Sequence, residues 1–147
     1  RLESMGVRQT VVTGNIEAVA LLKLHAAHLV PPIDPTLGGY GDSGTTRVAV
    51  ADTALDRLAL AGWERRPDRC WIVGDTPRDL QCARALGIRC ALVATGRHSL
   101  SSMADLGADL LLPSLADADR LFDLWLVTDG LEPAGPPDAQ GTRMTLP

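Results

Sequence analysis

The chain has 147 residues, 46% of them hydrophobic and 22% charged, proportions that fit one domain able to bury a core. Its net charge of -4 and the scatter of its 14 Lys and Arg argue against a nucleic-acid partner or an anionic membrane surface. No apolar run approaches the roughly 18 residues of a membrane span, and the first ten residues lack the apolar stretch of a signal peptide, so the sequence reads as cytoplasmic.

Leu2 to Met5 followed by Gly6 look like a last helical turn with its C-terminal glycine. One turn cannot nucleate alone, so the sequence is expected to begin inside an element with an upstream part missing. Residues 7–13, VRQTVVT, read as a short strand that ends in T-G-N. Asn15 then caps a helix carrying Ile16, Val19, Ala20, Leu24 and Ala27 on one face, and Pro31 and Pro32 stop it. The stretch PPIDPTLGGYGDSGTT is a turn-rich loop with a short strand expected near Leu37 to Tyr40. A helix from about Arg47 to Ala61 follows, with Val48, Ala51, Leu55 and Leu58 as its apolar stripe and Gly62 as its stop.

Cys70 to Val73 predict a strand, and Thr76 to Leu86 a helix with Thr76 as N-cap, Pro77 at the first helical position and Gly87 just beyond the end. Ile88 to Thr95 predict another strand, Ser99 to Leu106 a short helix and Leu110 to Leu112 a short strand. Ala118, Leu121, Phe122 and Trp125 mark a final amphipathic helix, and the Pro- and Gly-rich residues 129–147 a tail without packed structure. The three cysteines show no CxxC spacing and read as buried reduced thiols.

Strands that alternate with helices imply a mostly parallel sheet, whose ligands sit at the C-terminal strand ends. T-G-N and G-D-T both fall at such ends. Asp75 and Asp79, at a strand tip facing a helix start, form a hard oxygen site of the kind Mg²⁺ takes together with waters and a substrate phosphate. Asp79 also stands where a capping-box acid would stand after Thr76. Thr13, Gly14 and Asn15 offer a hydroxyl, an unobstructed backbone and an amide to a phosphoryl oxygen. Arg47 opens a helix against its dipole, which points to an anionic partner.

In that order these residues resemble the haloacid dehalogenase (HAD) superfamily of phosphohydrolases. The resemblance covers residues 1–128, is similar in character to phosphoglycolate-phosphatase-like members, and is most specific in GDTPRDLQCARALGIRC. It implies an α/β, Rossmann-like three-layer sandwich, incomplete at the N-terminus. It further implies a small phosphorylated substrate and Mg²⁺ as cofactor. Thr13, Gly14, Asn15 and Arg47 would bind the phosphoryl group, with Thr13 and Arg47 in the catalytic machinery, Asp75 would hold the metal, and Asp79 would support the metal or its water. The nucleophilic DxD aspartates of the family, and the cap that selects substrate, are expected upstream of residue 1, so little turnover is expected of this chain. A non-catalytic module that binds phosphate or Mg²⁺ is the alternative. Three weaker signals are set aside. Gly39 to Gly44 match GxGxxG without the required preceding strand, His25 and His28 lack further ligands, and the DxD of Asp117 and Asp119 fits an ordinary helix start.

Overall fold

In the computed structural model the described residues are Leu2, 6–117, Asp119 and Asp123. The expected final helix and the tail of residues 129–147 lie outside them. Three strands, β1 (Trp71–Gly74), β2 (Arg89–Val93) and β3 (Leu110–Leu112), form a parallel sheet in the order β1-β2-β3. The helices are α1 (Glu17–Ala26), α2 (Arg47–Leu60), α3 (Pro77–Leu86) and the single turn α4 (Leu100–Met103). This is the α/β, Rossmann-like arrangement that the alternation of elements predicts.

Strand β2 shows why the sheet is buried. Its side chains alternate between faces, as the two-residue period of a strand requires. Cys90 and Leu92 pack with Leu80 and Ala83 of α3 and Met103 of α4, whereas Ala91 and Val93 pack with Leu112, Trp71, Leu110 and Leu2. Burial pushes the Cys90 thiol up to about 12, and it raises the Cys82 thiol as well, so neither is a ready nucleophile.

Helix α3 carries the clearest local signals. Thr76 is its N-cap, Pro77 opens it, and Gly87 takes the left-handed conformation at φ 66° that closes it. The helix packs on β1 and β2, and α2 packs on α3. The buried stripe of α2 is Val50, Ala51, Ala54 and Leu55, rotated from the predicted one, with Val48 and Leu58 only half-buried. The rotation matters because Arg47 lies three and four positions before Val50 and Ala51, and therefore on the stripe.

The strand expected at 7–13 is corrected to a single parallel bridge, Val12 to Gly39. Its backbone bonds run to the loop between α1 and α2: the Asp34 amide donates to the Gln9 carbonyl and the Gly39 amide to the Val11 carbonyl. Between these partners the loop winds into a 3-10 helix, Pro35–Leu37, which breaks the ladder and also replaces the strand expected at Leu37 to Tyr40. Helix α1 begins one residue later than expected, with Ile16 rather than Asn15 at its N-cap. Only Ala20 and Leu24 of its predicted face are buried; Ile16, Val19 and Ala27 remain exposed.

Leu92 is fully buried on the central strand. Leu92→Ala is expected to cost about 2–5 kcal/mol in urea unfolding. A loss under about 1 kcal/mol would mean that this strand does not carry the core.

Candidate active site

The C-terminal end of β1 runs from Gly74 into Asp75 and the first turn of α3. Asp79, at the third helical position, is 1% exposed. A buried carboxylate needs partners for its oxygens. Oδ2 accepts from the Thr76 amide at 3.0 Å and from the Thr76 hydroxyl at 2.7 Å, and Oδ1 pairs with the Arg47 guanidinium. The expected capping role is therefore present, since the Asp79 side chain caps the Thr76 amide. Gly74 makes this possible, because a Cβ there would collide with the Asp79 carboxyl carbon.

Arg47 opens α2 just after the N-cap Thr46, whose hydroxyl accepts from the Ala49 amide at 3.1 Å. The helix dipole disfavours a cation at this position, and Asp79 supplies the compensating anion from within the protein. Arg47 also remains half exposed, with a side-chain accessibility of 46% against 2% for Asp79. Its guanidinium is anchored to Asp79 through Nη2.

Arg47 lines a cleft of about 230 Å³ together with Thr13, Gly14, Gly41, Gly44 and Thr45. The Thr13 hydroxyl oxygen accepts from the Asn15 amide at 3.2 Å and from the Asn15 side chain at 2.9 Å. Its own proton is thereby directed elsewhere. Lys23, on α1, donates to Asn15 Oδ1 at 3.2 Å and fixes the amide so that its nitrogen faces Thr13. Gly14 has open space where a side chain would stand.

The structure thus brings Thr13, Gly14 and Arg47 to one cleft and joins Asp79 to it through Arg47. Asn15 reaches it through Thr13 and itself lines a smaller neighbouring cleft. Asp75 lines neither cleft. It sits next to Gly96, in the turn after β2, where a Cβ would collide with Asp75 Oδ2. Among the described residues no hydrogen bond or ion pair engages the Asp75 carboxylate, so its oxygens are available to a cation. The described residues contain no group of three or more His, Cys, Asp and Glu able to hold a metal. Of the two carboxylates Asp75 is the one open to a cation, since both Asp79 oxygens are engaged by Thr76 and Arg47.

Sequence reasoning missed Lys23, Gly41, Gly44 and Thr45. Lys23 lies two helical turns beyond Asn15, a spacing that faces it back toward the loop. The other three fall in a stretch that reads only as a flexible lead into Arg47.

The parallel sheet, with Asp75 at the C-terminal tip of β1 and with Thr13, Gly14 and Arg47 lining one cleft, defines an α/β protein of the class whose loops beyond the strand ends carry its polar groups. Within that class the chain belongs to the HAD-like hydrolase family, whose sequence model matches residues 44–118 and so includes Arg47, Asp75 and Asp79. A phosphoglycolate phosphatase of Nitrosospira multiformis is 32% identical over 121 residues, covering 82% of this chain and 52% of the relative. A predicted phosphatase from Clostridium acetobutylicum shares the fold at a TM-score of 0.69 and 18% identity, with 83% of this chain and 55% of that one superposed. A protein of Bacteroides vulgatus assigned as a beta-phosphoglucomutase does so at a TM-score of 0.64 and 21% identity, over 86% of this chain and 50% of that one. The chain spans about half the length of the relatives it matches.

The two carboxylates have different structural loads, which predicts different costs of neutralising them. Asp79→Asn weakens three charged contacts and is expected to cost about 2 kcal/mol in urea unfolding, whereas Asp75→Asn is expected to change stability by less than about 0.5 kcal/mol. Equal costs would show that Asp79 does not anchor Arg47.

Proposed function

We propose that this chain carries the phosphate- and metal-binding part of a Mg²⁺-dependent phosphoric monoester hydrolase that acts on a small phosphorylated metabolite. The observation that carries the reading is the half-exposed Arg47, held by buried Asp79 and lining one cleft with Thr13 and Gly14. Phosphoryl transfer depends mostly on positioning and on neutralising the charge of the equatorial oxygens. In this reading the Thr13 hydroxyl, freed by Asn15 to donate outward, holds one phosphoryl oxygen. The Gly14 backbone lets the phosphate approach closely, and the Arg47 guanidinium, held by Asp79, neutralises a second oxygen. Asp75 would hold Mg²⁺ together with waters and a substrate oxygen, with Asp79 supporting the site through its hold on Thr76 and Arg47. When bound, the metal supplies charge neutralisation and orients the phosphate.

The family's nucleophilic aspartate belongs to a DxD at a strand end, and among the described residues no strand ends in that pattern. The chain by itself is therefore expected to bind phosphate and Mg²⁺ with little release of phosphate from a monoester. Three unpaired cysteines agree with a reducing, cytoplasmic setting.

Isothermal titration with inorganic phosphate and with Mg²⁺ tests the assignment. Arg47→Ala is expected to weaken phosphate binding by about tenfold or more, the loss of one charged contact. Asp75→Asn is expected to remove Mg²⁺ binding and leave the fold intact. Unaltered phosphate affinity would return Arg47 to the surface, and unaltered Mg²⁺ affinity would remove Asp75 as a ligand.

A further inference from the structure

The glycine-rich stretch Gly39 to Gly44 has no role in the phosphate reading beyond lining the cleft, yet it is tightly held. Tyr40 is fully buried although it lies in a loop. Its hydroxyl donates to the Pro35 carbonyl at 2.5 Å, and the Ser43 hydroxyl donates to the Tyr40 carbonyl at 2.6 Å. Arg57 lies ten positions beyond Arg47 on the same helix, about 15 Å along its axis. Its guanidinium sits 5.6 Å from the centroid of the Tyr40 ring, donates to the Gly38 carbonyl at 2.6 Å and pairs with Glu17 at 3.7 Å. One side chain of α2 thereby holds a ring of the loop, a carbonyl of the loop and the first residue of α1.

The loop is in turn bonded to the segment that carries Thr13. The Gly39 amide donates to the Val11 carbonyl at 2.9 Å, the Thr13 amide to the Gly39 carbonyl at 3.0 Å, and the Gly41 amide to the Asn15 carbonyl at 2.8 Å. These three bonds bracket Thr13 and Gly14. No side chain fits at either glycine. A Cβ on Gly39 would strike the Val50 carbonyl of α2, and one on Gly41 would strike the Gly14 carbonyl. The stretch is thus a spacer of bare backbone between α2 and the Thr13 loop.

We propose that Arg57 and the Gly39-Tyr40-Gly41 backbone are positioning elements of the site, which fix the separation of Thr13 and Arg47 by tying the Thr13 loop to the helix that begins with Arg47. The inference rests on the reading of Thr13 and Arg47 as a phosphate site and adds what sets their spacing. A merely structural Arg57 would change stability alone. A positioning Arg57 changes the affinity of protein that is still folded.

The test uses the full chain, inorganic phosphate as probe, and amide hydrogen exchange as a second readout. Arg57→Ala, at a temperature where it stays folded, is expected to weaken phosphate binding about tenfold and to lower the protection of the Thr13 and Gly41 amides. Arg57→Lys keeps a cation over Tyr40 and is expected to recover much of the affinity. Gly41→Ala displaces the loop with Arg57 untouched and is expected to weaken binding as well. Met103→Ala, in the core beneath the sheet, is expected to lower thermal stability without changing the affinity of the folded protein. Wild-type affinity in both Arg57→Ala and Gly41→Ala overturns the positioning role and leaves the phosphate site standing. An equal loss in Met103→Ala also overturns it, by making the effect one of stability. A wild-type chain that binds no phosphate overturns the site itself, and this inference with it.

Discussion

The contact between Arg47 and Asp79 is the interaction on which the arrangement depends. It joins the first residue of α2 to the first turn of α3, two helices whose own caps end a few atoms away. Asp79 satisfies the Thr76 amide and hydroxyl with one oxygen and the guanidinium with the other, so one buried carboxylate caps the start of a helix and holds a cation. Each element of the pair would be costly alone. A buried carboxylate lacks solvation, and a cation at a helix start meets an unfavourable dipole. Together they offset one another and leave the Arg47 side chain half exposed.

Around that pair the chain divides its labour by location. The sheet is parallel and buried on β2, which fixes the strand ends as the place where loops can present polar groups without breaking the core. Glycine at 74 lets Asp79 lie across the end of β1, and glycine at 96 leaves room for the Asp75 carboxylate. The carboxylate without partners among the described residues and the carboxylate with three donors are thus set four residues apart on one strand-helix junction. Their difference follows from position, because Asp75 precedes the cap and Asp79 completes it.

Much of this was legible where the signals are local. The α3 region carries its cap, its first-position proline and its terminal glycine within a dozen residues, and the structure places all three as predicted. Leu110 to Leu112 form a strand with the expected bounds. The misreadings are non-local. Residues 7–13 have the composition of a strand, but a strand is defined by its partner, and here the partner loop winds into a 3-10 helix that leaves one bridge. The Arg47 partnership is non-local too, since the dipole argument points to an anion without naming Asp79, 32 residues away in sequence. The stripe of α2 was misplaced because the sequence does not say that Gly39 presses against Val50. Lys23 and Arg57 went unread for the same reason, as each acts on a loop that only folding brings near.

The most direct measurement is a titration of inorganic phosphate into the isotopically labelled chain, followed by the backbone amides and the Arg47 side-chain Nε–H. Saturable shifts at Gly14, Thr46 and Arg47 Nε–H, with Gly107 and Leu111 unmoved, are the result that a Thr13–Arg47 phosphate cleft held by Asp79 predicts. Saturation without any change at Arg47 Nε–H, or shifts confined to other parts of the chain, would contradict it.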